Sequence, residues 1–228
     1  MNNNNPISVI VPAAGMGRRM KSYGPKPLIT IGNSTILNNQ LSLINTYVPN
    51  ANIVLICGFK SHRLMNETPA QILKVENELY DTTNVARSIG MGLRVVGQCS
   101  KVVVVYGDLV FNAAALKHIS FQESSIIITD SSIGDEEVGC VIGPDQMLVN
   151  MMYDLPHKWG QIAFFQDQEL ELLKQMCWDE KNHNKFGFEI INQILELGGT
   201  FKCIQNDNIQ IVDIDSSKDI VRAIDILL

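Results

Sequence analysis

Acidic side chains are absent from the first 66 residues of the chain, although the full sequence of 228 residues contains 24 aspartates and glutamates. This first stretch carries six lysines and arginines and therefore a charge of +6, whereas the remainder carries 12 basic and 24 acidic residues, or −12. A short basic segment in an otherwise acidic chain predicts a small phosphorylated ligand. It argues against a nucleic-acid partner, because nucleic-acid binders usually carry a basic face across the whole domain.

Three further absences limit the class of protein. No apolar run approaches the roughly 20 residues that a membrane-spanning helix needs, so no membrane association is expected. Residues 1–6 have neither the basic nor the apolar region of a signal peptide, which predicts a disordered tail followed by a single domain over residues 7–228 and a cytoplasmic location. The five cysteines show no CxxC spacing, which disfavours both a disulfide framework and a zinc site.

Short apolar runs alternate with helical segments, a rhythm that is typical of βαβ units. The predicted strands are almost continuously apolar, which indicates a mainly parallel sheet covered on both faces and a ligand site beyond the carboxyl ends of its strands. We therefore predict an α/β fold, a single Rossmann-like domain with helices flanking the sheet. Thr82 or Thr83 is expected to cap the third helix. Strands are predicted at 7–11, 53–56, 72–75, 102–106, 126–129, 139–142, 147–150, 201–204 and 209–212, and helices at 36–47, from 61, at 83–96, 112–119, 169–177 and 188–197, and from 216.

The segment after the first predicted strand, residues 12–28, has the features of a phosphate loop. Small residues and glycines from Ala13 to Gly17 let backbone N–H groups approach a ligand closely, and the basic side chains that follow suit a polyanion. Lys26 is flanked by two prolines that fix the backbone around it. A dinucleotide fingerprint fits less well, because Met20 occupies the third glycine position and no acidic residue occurs before Glu67. A Walker loop fails because neither Ser nor Thr follows the lysine.

Two parts of this loop, Ala13–Arg18 and Pro25–Leu28, resemble the opening motif of the nucleotidyltransferases that activate sugar phosphates and phosphocholine. Two later segments are similar to motifs of the same family. Tyr106-Gly107-Asp108 resembles its metal-binding Gly-Asp, and Val212–Asp215 with Asp219 resembles its late aspartate motif. The resemblance implies a GT-A-like nucleotide-binding domain with a mixed, mainly parallel sheet.

Residues 77–88 are most similar to the phosphocholine cytidylyltransferase branch of that family. The resemblance implies that CMP is transferred from CTP to a small phosphorylated acceptor such as phosphocholine, with Mg²⁺ as the cofactor and pyrophosphate as the second product. A sugar 1-phosphate uridylyl- or thymidylyltransferase is the alternative. No general base is required, because a phosphate monoester is already largely ionised at pH 7, and the four histidines form no recognisable catalytic set.

The resemblance also implies roles for individual residues. Lys26 would bridge the α-phosphate and the acceptor phosphate, and Arg18 would hold the β- and γ-phosphates. Asp108 and Asp215 would be the metal ligands, with Asp213 in place of Asp215 if the register of the last strand differs. The residues expected to bind the nucleotide are Ala13, Ala14, Gly15, Gly17, Asn84, Ser88 and Gly107.

Aromatic residues are concentrated between Met151 and Phe188, in the part of the chain that contributes to the acceptor pocket in the family. Aromatic faces attract quaternary ammonium groups. The family often places an acidic residue after Trp-Gly, whereas this chain has Gln161, so phosphoethanolamine, phosphonates, phosphorylated amino-acid derivatives and sugar 1-phosphates stay open as acceptors besides phosphocholine. The oligomeric state also stays open, with a homodimer as one alternative. The predicted acceptor-binding residues are Tyr153, Trp159, Trp178 and Glu189.

Overall fold

Short runs rich in β-branched residues form most strands of the fold, in line with their preference for pleated, buried surfaces. A computed structural model describes residues 6–17, 20, 23–129 and 137–227. The strands within these ranges are β1 (Ser8–Ala13), β2 (Thr30–Ile31), β3 (Ser34–Thr35), β4 (Asn52–Cys57), β5 (Leu73–Glu76), β6 (Lys101–Val105), β7 (Leu109–Phe111), β8 (Ser125–Thr129), β9 (Val138–Ile142), β10 (Leu148–Tyr153), β11 (His157–Gln166), β12 (Lys202–Ile204) and β13 (Ile211–Asp213).

The main sheet is mixed and follows the order β10-β9-β11-β6-β1-β4-β5, with β8 paired to β11 and β12 paired to β8. Strands β6, β1, β4 and β5 run parallel, and β11 pairs antiparallel with β6, β8 and β9. Val9 and Val11 of β1 belong to one apolar core, and Ile10 belongs to a second core on the opposite face. Both faces of the sheet are therefore covered, which confirms the predicted α/β class.

Helices cover the two faces of this sheet. They are α1 (Ile36–Tyr47), α2 (Ser61–Glu67), α3 (Val85–Val96), α4 (Ala114–Lys117), α5 (Asp167–Trp178), α6 (Gly187–Glu196) and α7 (Ser217–Leu227). Apolar side chains of α1, α2 and α4 join the core that contains Val9, and those of α3, α5 and α6 join the core that contains Ile10. A third, smaller core includes Met20, Ile31 and Ala223 of α7. None of the helices in the described ranges is long and apolar enough to cross a membrane.

The ten-residue strand β11 has no counterpart among the predicted strands. It connects the parallel half of the sheet to the antiparallel half through its pairing with β6. Its pairing with β8 shifts register between Trp159 and Ala163, and Gln161 in that interval has a φ of +56°. Its first half combines Trp159 with three polar residues and a glycine, so the continuous apolar pattern that indicates a buried strand is confined to residues 162–165.

The predicted cap of the third helix is wrong. Asn84 is the cap of α3, and its side-chain oxygen accepts a hydrogen bond of 2.8 Å from the N–H of Val85. Thr83 is engaged elsewhere, because its hydroxyl donates to the carbonyl oxygen of Leu79 at 2.5 Å. The helix consequently begins at Val85, two residues later than predicted.

Candidate active site

A cleft of about 1090 Å³ opens at the carboxyl ends of β1, β5 and β6, where Ala14, Asn77 and Gly107 follow the strands and line it. Ligands of parallel α/β sheets bind at this edge. The structure brings twelve of the predicted site residues to this cleft, while Arg18 and its neighbour Arg19 lie outside the described residues. The twelve are Ala13, Ala14, Gly15, Gly17, Lys26, Asn84, Ser88, Gly107, Asp108, Tyr153, Trp159 and Asp215.

Lys26 lies between two carboxylates on the wall of the cleft. Its Nζ is 2.9 Å from Oδ2 of Asp108 and 2.5 Å from Oδ1 of Asp215. Burial by itself would lower the pKa of Lys26, but the two carboxylates outweigh it and raise that pKa above its ordinary value. The lysine is therefore protonated at neutral pH, and three residues that are far apart in the sequence form one charged cluster.

The pairing of two short strands brings the aspartates of this cluster together. Asp108 immediately precedes β7, which pairs antiparallel with β13, and the carbonyl oxygen of Asp108 accepts a hydrogen bond of 3.0 Å from the N–H of Ile214. Asp219, in the first turn of α7, accepts from the N–H groups of Asp215 and Ser216 at 3.2 and 2.7 Å. The late aspartate motif is thus fixed by a helix cap on one side and a strand pair on the other.

Gly17 packs directly against the stem of Lys26. Its φ is +50°, in the left-handed region that favours glycine, and a Cβ atom there would lie 3.2 Å from both Cγ and Cε of Lys26. Gly107 has a similar constraint, because a Cβ atom on it would come within 2.8 Å of the Cβ of Ala13. Gly17 and Gly107 are therefore required for the close approach of the loop, the lysine and the end of β6.

The chemistry of the cluster fits a magnesium ion. Asp108 and Asp215 both reach the same ammonium group, so their carboxylates converge, and carboxylate oxygens are the protein ligands that Mg²⁺ prefers. Within the described ranges no three His, Cys, Asp or Glu side chains form a ligand group by themselves. Mg²⁺ usually completes its coordination with phosphate oxygens and water, so two aspartates are a sufficient protein contribution.

A second buried cation, Lys158, also lines the cleft and was not predicted as a site residue. Its Nζ contacts Glu137 and lies 3.2 Å from Oδ1 of Asp213. Burial opposes its protonation, but Asp213 and Glu137 raise the pKa of Lys158 above its usual value. Gln161 donates to the other oxygen of Asp213 at 3.4 Å. Lys158 lies on the unpredicted strand β11, so the sequence offered no signal for its position.

The two late aspartates therefore have different partners. Asp215 contacts Lys26, which also contacts Asp108, whereas Asp213 contacts Lys158 and Gln161. Both line the cleft. This arrangement favours Asp215 as the partner of Asp108 in holding a cation.

Another wall of the cleft is built around the buried amide of Asn77, which the sequence motif included without a separate role. Its side chain hydrogen-bonds with Ser88, Thr83, Arg87 and the backbone of Leu79. This network connects the end of β5 to the first turns of α3.

Aromatic side chains form the opposite part of the lining. The rings of Tyr153 and Phe188 meet edge to face with centroids 5.4 Å apart, and Phe186 stacks on Phe188 at 6.0 Å. Tyr153 and Phe186 are 37% and 48% exposed. Trp159 is buried and meets Tyr106 edge to face, and its indole N–H has no hydrogen-bond partner in the part of the chain that the structure describes.

Two predicted acceptor-binding residues do not line the cleft. Trp178 ends α5, where its indole N–H donates to the carbonyl oxygen of Gly90 at 3.3 Å and Arg94 lies over its ring. Glu189 accepts a hydrogen bond of 2.7 Å from the N–H of Phe186 and so caps the start of α6. Both side chains have local structural partners outside the cleft, so their prediction as acceptor-binding residues is not supported.

Residues 9–171 match the family model of the MobA-like NTP transferase domain. This match covers most of the chain, and the α/β fold agrees with it. The chain belongs to the MobA-like NTP transferase domain family, which confirms the nucleotidyltransferase family predicted from the motifs.

Curated relatives match a shorter part of the chain. The 2-C-methyl-D-erythritol 4-phosphate cytidylyltransferase of Salmonella arizonae is 31% identical over 103 residues, and that of Salmonella agona is 30% identical over 103 residues. The match covers 43% of this chain and 41% of each relative, so the chain spans about two fifths of the length of these proteins.

Solved structures of low sequence identity share the whole fold. The inositol-1-phosphate CTP transferase from T. maritima has a TM-score of 0.76 at 17% identity and covers 94% of this chain and 91% of its own. The CTP:phosphocholine cytidylyltransferase from Streptococcus pneumoniae has a TM-score of 0.77 at 16% identity, with coverage of 98% and 100%. A putative glucose-1-phosphate thymidylyltransferase from Bacillus anthracis also has a TM-score of 0.77, at 14% identity and with coverage of 96% and 94%.

Proposed function

We propose that this protein transfers CMP from CTP to a small phosphorylated acceptor and releases pyrophosphate. The observation that carries the proposal is the cluster of Lys26, Asp108 and Asp215 on one cleft. Nucleotidyl transfer brings several negative groups together, and a fixed cation with two metal-binding carboxylates is suited to neutralise and position them. The names of the curated relatives and of two solved neighbours refer to cytidylyl transfer or to CTP, which favours CTP as the donor.

The proposed reaction is a displacement at the α-phosphorus of CTP. An ionised oxygen of the acceptor phosphate forms the new bond, and pyrophosphate leaves with the electron pair of the bond that breaks. A phosphate monoester with a second pKa near 6 is already an anion at pH 7, so the chain need not supply a general base. Its contribution is to hold the two substrates in line and to compensate their charge.

Lys26 is the residue best placed for that contribution. Its ammonium group has three N–H donors, and the two carboxylates keep it protonated. In the complex it would donate to the α-phosphate and to the acceptor phosphate, which would otherwise repel each other. Mg²⁺ held by Asp108 and Asp215 would supply further charge neutralisation at the phosphates when bound.

The acceptor that fits the rest of the lining is an amino-alcohol phosphate of the phosphocholine type. The exposed faces of Tyr153 and Phe186 offer an apolar surface to a quaternary ammonium group. The carboxylates of Glu137 and Asp213 line the same cleft, and they favour a cationic head group over a neutral sugar. Lys158 is paired with both carboxylates, so the three side chains together keep a formal charge of −1 that a cationic head group can compensate.

A pyrophosphate-release assay tests the proposal. The purified protein is incubated with Mg²⁺ and with CTP, UTP, dTTP, ATP or GTP, each combined with phosphocholine, phosphoethanolamine, aminoethylphosphonate or glucose 1-phosphate. Release that requires CTP and one of the three amino compounds is the expected result. Release with glucose 1-phosphate and UTP or dTTP would replace the proposal by a sugar nucleotidyltransferase.

Substitutions in the aromatic lining test the class of acceptor separately. Tyr153→Leu should raise the KM for phosphocholine about two- to thirtyfold and leave the KM for CTP unchanged, because cation–π contacts contribute about 0.5–2 kcal/mol. Trp178→Phe is the control, since Trp178 does not line the cleft, and it should leave both KM values unchanged. Equal changes of the KM for phosphocholine in the two variants would refute the proposal that Tyr153 contacts the acceptor.

A further inference from the structure

The orientation of the Asn77 amide is fixed by its neighbours. One end of the side chain lies 3.2 Å from the backbone nitrogen of Leu79 and 3.0 Å from Nε of Arg87. Both of these groups can only donate hydrogen bonds, so the amide oxygen Oδ1 must face them. The amide nitrogen Nδ2 then faces the hydroxyl oxygens of Thr83 and Ser88, at 3.4 and 3.2 Å. Asn77 is 1% exposed, so this set of partners determines which way the amide points.

This orientation determines the polarity of the Ser88 hydroxyl. Because Nδ2 donates to it, Ser88 acts as an acceptor toward Asn77 and keeps its own hydrogen for another partner. Thr83 differs, since its hydroxyl hydrogen is given to the carbonyl oxygen of Leu79 at 2.5 Å. Within residues 6–17, 20, 23–129 and 137–227 the hydroxyl hydrogen of Ser88 has no such acceptor, and Ser88 lines the cleft. A ligand in the cleft can supply that acceptor.

We propose that Asn77 is a positioning residue that makes Ser88 a hydrogen-bond donor to the base and thereby selects cytosine over uracil. The inference rests on the proposed use of CTP. Cytosine presents ring atom N3 as an acceptor, whereas uracil presents an N–H group at the same place. The Ser88 hydroxyl, which already accepts from Asn77, can donate to N3 of cytosine, whereas next to uracil either its own hydrogen or the N3–H group stays unpaired. An unpaired buried donor costs enough to change relative affinity by about ten- to a hundredfold.

The substitution Asn77→Asp reverses this polarity with almost no change in shape. A carboxylate can only accept, so Ser88 would turn its hydrogen toward the new side chain and present a lone pair to the cleft. That arrangement suits the N3–H of uracil. Arg87, which already contacts this side chain, would compensate the added negative charge.

The test compares kcat/KM for CTP with kcat/KM for UTP, and the affinities of both nucleotides, in wild type and variants. We expect the CTP/UTP ratio to fall about tenfold or more in Asn77→Asp, with UTP binding improved relative to CTP. Ser88→Ala should lower the ratio too, because it removes the donor. Thr83→Val is the matched control: it removes the other acceptor of the Asn77 amide and should leave the ratio unchanged.

A folded Asn77→Asp variant that is slower with both nucleotides but keeps the wild-type ratio would overturn the inference, because a purely structural residue acts on both equally. If Asn77→Asp does not fold, Ser88→Ala decides the matter, and an unchanged ratio there overturns the inference as well. Failure of the proposed function has a different signature. In that case the wild-type protein itself would show no preference for CTP over UTP.

Discussion

Replacing Lys26 with methionine removes the ammonium group and keeps a side chain of similar length. In the structure this group lies 2.9 Å from Asp108 and 2.5 Å from Asp215. Loss of one fixed donor at a reacting centre typically lowers kcat by about 10²–10³. Because Lys26 would contact two phosphates, we expect kcat/KM to fall by about 10³, which corresponds to about 4 kcal/mol at 1.36 kcal/mol for each factor of ten.

The same substitution should affect the free energy of unfolding much less. Removing one partner of a fully buried ion pair costs about 3–5 kcal/mol, but the side chains of Asp108 and Asp215 are 30% and 48% exposed. Water can therefore solvate both carboxylates once the lysine is gone. We expect a loss of about 1–2 kcal/mol, which lowers Tm by about 2–8 °C in a domain of this size.

A lysine outside the cleft provides the control. The side chain of Lys174 is 10% exposed, compared with 12% for Lys26, and it contacts Glu171 at 2.7 Å. It does not line the cleft. Pyrophosphate release and thermal unfolding are measured for both methionine variants. Lys174→Met should lower Tm to a similar extent and leave the rate unchanged. A Lys26→Met protein with more than about a tenth of wild-type activity would refute the role given to this lysine.

Three further outcomes are expected. Asp215→Ala should lower kcat about 10²-fold or more, and Asp213→Ala should lower it less, because only Asp215 shares Lys26 with the other carboxylate of the cluster; the reverse ranking in a pyrophosphate-release assay would show that the wrong aspartate has been chosen. Gly17→Ala should reduce kcat as well as Tm, since its Cβ would press on the stem of Lys26 at 3.2 Å; normal kinetics would contradict this packing. Burial and a neighbouring arginine lower the pKa of His183, so below about pH 6.5 the unfolded chain binds more protons than the folded one and stability is lost as pH falls. Thermal unfolding between about pH 7.5 and about pH 5.5 should show a larger drop in Tm for wild type than for His183→Gln, and equal drops would refute the assignment.

The charged cluster could be located from the sequence because its members follow recognisable local signals. Lys26 lies between two prolines, Asp108 follows an apolar run and Gly107, and Asp215 lies in the segment that resembles the late aspartate motif of the family. Side chains at the carboxyl ends of neighbouring strands meet at one edge of a sheet. Their mutual distances depend on the pairing of β7 with β13, and β7 was not among the predicted strands.

The other parts of the site depend on contacts that no local pattern reveals. Lys158 is placed by β11, whose first half is mostly polar and whose pairing with β8 shifts register next to Gln161. Trp178 is predicted in the acceptor pocket because it belongs to an aromatic-rich segment that contributes to this pocket in the family. In the structure it ends a helix, and its indole N–H donates a hydrogen bond to the carbonyl oxygen of Gly90. The polarity of Ser88 depends on Asn77, eleven residues earlier in the chain. Each of these features is a matter of tertiary packing.

The fate of the α-phosphate of CTP tests the central claim most directly. The protein is incubated with Mg²⁺, phosphocholine and CTP labelled at the α-phosphorus, and the products are separated by charge. We predict that the label appears in a CDP-linked product, that unlabelled pyrophosphate forms in equal amount, and that both require the acceptor. Label that appears in free CMP without an acceptor would identify a hydrolase, and label that stays in CTP with every acceptor of the panel would contradict nucleotidyl transfer from CTP.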